Sequence, residues 1–98
     1  MAPFKMRVRV IVPSMFQSAA GGVTLIELDN CKTVGACLIE LRTRYPPLGT
    51  MLFDEGDKIA GFLNVFINGQ SLDQGSDPFT HPVKDGDEIY PVMMIGGG

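Results

Sequence analysis

The chain has no tryptophan, one histidine and two cysteines, and only 19% of its residues are charged. The lone histidine, His81, stands directly before Pro82 in a turn-rich stretch, a setting for a loop residue rather than a catalytic base. Ser14, Ser18, Ser71 and Ser76 lack a GxSxG context, and no HExxH, P-loop or helix-opening GxGxxG occurs. The cysteines, Cys31 and Cys37, form a CX5C pair. That spacing matches no common zinc or redox motif, and one short pair is a weak disulfide framework, so reduced thiols are expected. No apolar run approaches membrane-spanning length. "VRVIVPSMFQSAAGG" loosely imitates a signal peptide, but Arg9 interrupts its apolar run and Pro13 ends it. A cytoplasmic protein without a membrane segment is expected.

What is present fits one globular domain spanning 1–98. The chain has 98 residues, 45% of them apolar, enough for a modest core without disulfide staples. The net charge of −3 is unevenly placed: residues up to Thr50 carry six basic and three acidic side chains, the remainder two and eight. An acidic second half argues against nucleic acid as a partner and is compatible with steering toward a basic protein surface.

"MRVRVIV" alternates, with Val8, Val10 and Val12 on one face and Arg7, Arg9 and Ile11 on the other, the period of a half-buried strand. After the turn-rich "PSMFQSAAGG", "VTLIEL" reads as a second strand, most simply the other arm of an antiparallel hairpin. Val34, Cys37, Leu38, Leu41 and Tyr45 then follow a helical stripe. Thr33 is a suitable N-cap and Pro46–Pro47 stop the helix. "PLGTMLFDEGDKIAG" reads as a loop with at most one helical turn around Met51–Phe53. "FLNVFI" is a third strand closed by Asn68–Gly69, "QSLDQGSDPFTHP" is irregular, and "DGDEIYPVMM" gives a turn and a last strand.

The order strand, strand, helix, strand, strand suggests a small α+β fold, with a single main helix packed on one face of a mixed sheet. A right-handed crossover would set the first and last strands side by side and parallel at the centre. That is the ubiquitin-like β-grasp arrangement, and it would leave residues 95–98 projecting as a flexible tail.

"DEGDK" and "DGDE" lack the alternating ligand positions of a calcium loop. Asp85–Gly86–Asp87 is better read as turn chemistry, and no metal or cofactor site is expected. The group left over is the Gly98 carboxylate. It is a poor nucleophile and a poor acyl donor until ATP converts it to an acyl-adenylate, after which a sulfur donor can leave a thiocarboxylate. Three consecutive glycines, Gly96, Gly97 and Gly98, put no side chain in the way of a narrow adenylation site and let the backbone take any φ. Fraying termini also end in glycines, so the bare run alone leaves both readings open. Strand alternation turns Ile89 and Pro91 inward and leaves Tyr90 and Val92, with Met94, as an outward apolar patch beside the tail. Burial of that patch under the 70–82 loop is the alternative.

From His81 onward, "HPVKDGDEIYPVMMIGGG" resembles the C-terminal segment of the MoaD/ThiS family of β-grasp sulfur carriers. "FLNVFING" resembles that family's third strand, and "LRTRYPPLGTMLFDEGDKIAGF" looks most like its CysO-like branch. Met93–Met94–Ile95 replaces the proline-valine pair that the family often carries before its tail. The resemblance implies that the protein is not an enzyme but a co-substrate, and that Gly97–Gly98 are the functional pair, with Gly96 at a small-residue position. Tyr90, Val92, Met94, Ile95 and Gly96 would contact partners. The implied partners are an E1-like adenylating enzyme (MoeB/ThiF-like) that uses the ATP, a sulfur-acceptor enzyme such as a cysteine-synthase-like protein, and a tail-processing protease. The favoured role is sulfide donation in a cysteine-type route, with thiamine or molybdopterin routes open. A ubiquitin-like modifier conjugated to lysines through Gly98 and the small subunit of a molybdopterin-synthase-like complex are the alternatives.

Overall fold

A computed structural model describes residues 6–73 and 75–94. Five strands form one mixed sheet: β1 (Arg7–Ile11), β2 (Leu25–Asp29), β3 (Leu63–Ile67), β4 (Gln70–Ser71) and β5 (Glu88–Met93). Their spatial order is β2-β1-β5-β3-β4, which puts the last strand at the centre. The β1–β2 arms pair antiparallel with Val10 opposite Ile26, β3 pairs antiparallel with β5 with Val65 opposite Pro91, and β1 and β5 run parallel with Val10 beside Ile89. This is the ubiquitin-like β-grasp arrangement expected from the element order.

Helix α2 (Val34–Arg44) covers one face of the sheet. Thr33 caps it, its hydroxyl accepting from the Ala36 amide at 3.1 Å. Val34, Cys37, Leu38 and Leu41 are all fully buried against Val8, Val10 and Ile89, while Tyr45 is only half-buried at the helix end. Arg42 and Arg44 occupy the last turn, where positive charge complements the helix dipole.

Three segments depart from the sequence-based expectation, the shortest being Gln70–Ser71, which reads as irregular in sequence and is the edge strand β4 paired with β3. The stretch after the double proline is a helix, α3 (Pro46–Leu52), not a loop with one turn near Met51–Phe53. Proline ends a preceding helix but is well placed in the first turn of the next, where its missing N–H has no intrahelical partner to lose. Tyr45, with φ −131° and ψ 80°, is the joint between the two helices. The connection after Pro13 is likewise not only turns: α1 (Ser14–Gln17) and a 3-10 turn (Ser18–Ala20) bury Phe16 and Ala20 before Gly21 and Gly22, both at positive φ, redirect the chain into β2.

Candidate functional site

The candidate site is the end of β5 and the sheet face around it. β5 begins at a turn whose acidic residues are structural. Asp87 is 7% exposed; its carboxylate accepts from the Lys84 amide at 2.7 Å and from Asn68 Nδ2 at 2.9 Å. Asn68 Oδ1 in turn accepts from the Glu88 amide at 2.9 Å. Gly86, at φ +87°, donates to the Arg7 carbonyl, and the Arg7 amide donates to Asp85 Oδ1, both at 2.8 Å. Every carboxylate oxygen of Asp87 is thus committed to backbone or amide donors, which is turn chemistry, as the sequence suggested. Among the described residues no cluster of three or more His, Cys, Asp or Glu side chains is arranged to hold a metal.

From that anchored start β5 alternates as expected. Ile89 and Pro91 face the core, Tyr90 is 39% and Met94 55% exposed, and Val92 is half-buried on the outward side. β3 extends the same patch. Phe66 lies opposite Tyr90, with ring centroids 6.4 Å apart and tilted by 52°, a favourable aromatic geometry. Phe62, 69% exposed, lies beside Met94, whose amide donates to the Phe62 carbonyl at 2.7 Å. Sequence reasoning missed Phe62, although the alternation Phe62, Asn64, Phe66 in "GFLNVFING" carried the signal. The outer face therefore divides: a mainly apolar half on β3 and the later residues of β5, with Asn64 opposite Val92, and a charged half on β1, β2 and the start of β5. The latter holds the Arg7–Asp29 and Arg9–Glu88 pairs at 3.0 and 3.5 Å. Exposed pairs of this kind add little stability, but they mark the boundary of the apolar patch.

The described residues of the 70–82 loop leave Phe62, Tyr90 and Met94 of this patch exposed. The second half of the loop docks on the N-terminus of α2, where the carbonyls of His81 and Pro78 accept from the Val34 and Gly35 amides at 3.0 and 2.9 Å. His81 thus serves through its backbone, as a turn residue. Ile95, Gly96, Gly97 and Gly98 lie outside the described residues; the structure places the strand that leads to them. Both cysteines are reduced and buried. Burial pushes the thiols of Cys31 and Cys37 up from the ordinary range, Cys37 far more, which makes them poor nucleophiles.

The fold and this site describe a class of small β-grasp proteins whose last strand is central and whose outward face is apolar near the C-terminus. The model of the ThiS family matches residues 10–98, and the chain belongs to that family. No curated protein matches the chain. Among solved structures, the small archaeal modifier protein 1 of Methanosarcina acetivorans is similar at 27% identity and TM-score 0.79, over 98% of this chain and all (100%) of that one. A chain of the Amycolatopsis orientalis BexX/CysO complex is 26% identical, with TM-score 0.77 over 93% of this chain and 99% of that one. CysO of Mycobacterium tuberculosis, at 22% identity and TM-score 0.74, covers 90% of this chain and 99% of its own, and shares the fold. The protein is accordingly one of the sulfur carriers and ubiquitin-like modifiers, small proteins on which partner enzymes act and which are not enzymes themselves. Among the described residues no helix is long and apolar enough to cross a membrane.

Proposed function

We propose that the protein is a sulfur carrier whose reactive group is the Gly98 carboxylate. The observation that carries this reading is the last strand, central in the sheet order between β1 and β3, which ends at Met93 with Met94 beside an exposed apolar patch. An E1-like enzyme would dock on Tyr90, Val92, Met94 and the neighbouring Phe62 and receive the residues beyond. A Gly98 carboxylate oxygen attacks the α-phosphorus of ATP and pyrophosphate leaves. A sulfide-level donor then attacks the acyl carbon and AMP leaves, so that the chain carries a thiocarboxylate. ATP belongs to the activating enzyme, and the carrier needs no cofactor of its own. The thiocarboxylate sulfur next attacks an electrophilic carbon held by an acceptor enzyme, displacing its leaving group, and water then cleaves the acyl–sulfur bond and returns the Gly98 carboxylate. A cysteine-type route is the favoured acceptor chemistry, on the likeness of "LRTRYPPLGTMLFDEGDKIAGF" to the CysO-like branch, with thiazole and pterin acceptors as the alternatives.

A second reading, conjugation of Gly98 to lysines, is favoured by the likeness to a small archaeal modifier protein. Both readings need the same activated tail, and a lysine-linked adduct detected by mass spectrometry in cell extract separates them.

The test is ATP–pyrophosphate exchange with the cognate activating enzyme. Deleting Gly98 withdraws the carboxylate by about 3.3–3.6 Å, and a misplacement of about 1 Å is enough to cost on the order of a hundredfold in rate. Gly97→Val preserves reach but adds a β-branched side chain and restricts the backbone. Both variants should fold and fail, and Gly96→Ala should exchange normally. Full exchange by both would refute the reading.

A further inference from the structure

Alternate residues of β5 direct their backbone groups to opposite neighbours. Glu88, Tyr90, Val92 and Met94 face β3, as the Asn68 amide to Glu88 carbonyl and Met94 amide to Phe62 carbonyl bonds show, at 2.8 and 2.7 Å. Ile89, Pro91 and Met93 therefore face the other way, toward β1. The parallel pairing with β1 goes no further than Val10 beside Ile89, and the chain then leaves the sheet through Pro13 into α1. In that register Ile11, the last residue of β1, falls beside Tyr90, so no residue of β1 stands beside Met93. Residue 91 is a proline and has no N–H to satisfy. Met93 does have one, and it donates to the thioether sulfur of Met15, the second residue of α1, at 3.3 Å. A side chain from the other end of the sequence thus stands where a strand carbonyl would otherwise be, at the last residue of β5.

We infer that Met15 is a positioning residue: its sulfur fixes the end of β5 and so sets the direction in which the chain leaves the sheet toward Gly98. The inference rests on the carrier reading above and identifies a determinant of tail presentation that lies outside the tail and outside the sheet. A thioether is a weak acceptor, so the contribution is that of one modest hydrogen bond. Losing it leaves the end of β5 to be ordered at the expense of binding, which raises KM for the carrier and leaves kcat unchanged.

Three proteins test this: wild type, Met15→Leu and Met15→Gln. Leucine keeps the apolar volume and removes the acceptor; glutamine supplies a stronger acceptor, its amide oxygen, on a side chain of similar length. Hydrogen exchange of the Met93 amide, read by NMR, should be about two- to tenfold faster in Met15→Leu than in wild type, the range of a single net hydrogen bond, and slow again in Met15→Gln. The amide of Leu38 in α2 is the control for global stability. In pyrophosphate exchange, KM for Met15→Leu should rise by a similar factor at constant kcat, with Met15→Gln restored. The reverse pattern, Met15→Leu normal and Met15→Gln impaired, would show that Met15 acts as apolar contact surface and would overturn the inference. Unchanged Met93 exchange in Met15→Leu would overturn it too, as would faster exchange with unaltered KM. A wild-type protein that supports no pyrophosphate exchange at all would instead sink the carrier reading, and the Met93 amide would still report whether Met15 holds the strand end.

Discussion

Gly35 and Phe79 offer the sharpest test of how the 70–82 loop is kept off the outer sheet face. Gly35 is the second residue of α2 and is buried. A Cβ built on it would meet the Phe79 ring, lying within 2.6 Å of Cγ and against Cδ1, so the ring lies directly on the glycine. Phe79 is 36% exposed and has a way out toward solvent. Gly35→Ala therefore sets two effects against each other. Overpacking of this kind costs about 1–3 kcal/mol, while replacing glycine by alanine in a helix gains up to about 1 kcal/mol. The net expectation is a destabilisation of about 0–2 kcal/mol. In a Phe79→Ala background the obstruction is gone, and the same substitution should stabilise by about 0.5–1 kcal/mol, since only the propensity effect remains. The sign should thus change between backgrounds, with a coupling of about 1–3 kcal/mol, the size expected for residues in contact. Urea denaturation of the four proteins measures it. Equal effects of Gly35→Ala in both backgrounds would refute the argument, because they would mean that the ring does not rest on Gly35 in solution.

Leu41→Ala removes a fully buried side chain from the α2 stripe and should cost about 2–5 kcal/mol in the same assay. Val92→Asp places a charge in the apolar half of the outer face; it should weaken association with the activating enzyme in a titration at limiting carrier while leaving the circular dichroism spectrum unchanged. Because burial raises the Cys37 thiol above its ordinary range, the folded protein keeps that proton at a pH where the unfolded chain loses it. The contribution is complete below about pH 8.5 and is lost as pH rises beyond it, by at most about 1.4 kcal/mol per pH unit. The stability difference between wild type and Cys37→Ala should accordingly narrow above pH 8.5.

Legibility followed the range of the interactions. Val8 and Val10 are buried and Arg7 and Arg9 exposed because a strand on one face of a core has a period of two, and that period is written in "MRVRVIV". Thr33 and the stripe behind it announced α2 in the same local way. The last strand was legible to its ends, since a turn opens it and alternation runs through Glu88–Met93. The elements that were missed are too short to show a period or carry an ambiguous signal. α1 has four residues and β4 has two, and α3 opens with the residues that also close α2. For the site, Tyr90, Val92 and Met94 followed from alternation, but Met15 did not. Its role exists only because the end of β1 falls short of the end of β5, a length difference between two strands far apart in sequence.

The parallel contact between β1 and β5 has a consequence for biosynthesis. Val10 finds its neighbour Ile89 only after synthesis has passed β5, so the sheet cannot close while β5 is still inside the ribosome. Until then β1 and β3 each expose a central edge, and the valines and leucines meant for α2 have no complete surface to cover. Such non-local closure is slow compared with helix formation, and open strand edges invite pairing with other chains. A message truncated anywhere before Glu88 yields a polypeptide missing the middle of its sheet, which is a substrate for proteolysis rather than a competitor for partner enzymes. Under the carrier proposal, completion of the fold and delivery of the end proposed to react are one event, because the strand that finishes the core is the strand that leads to Gly98.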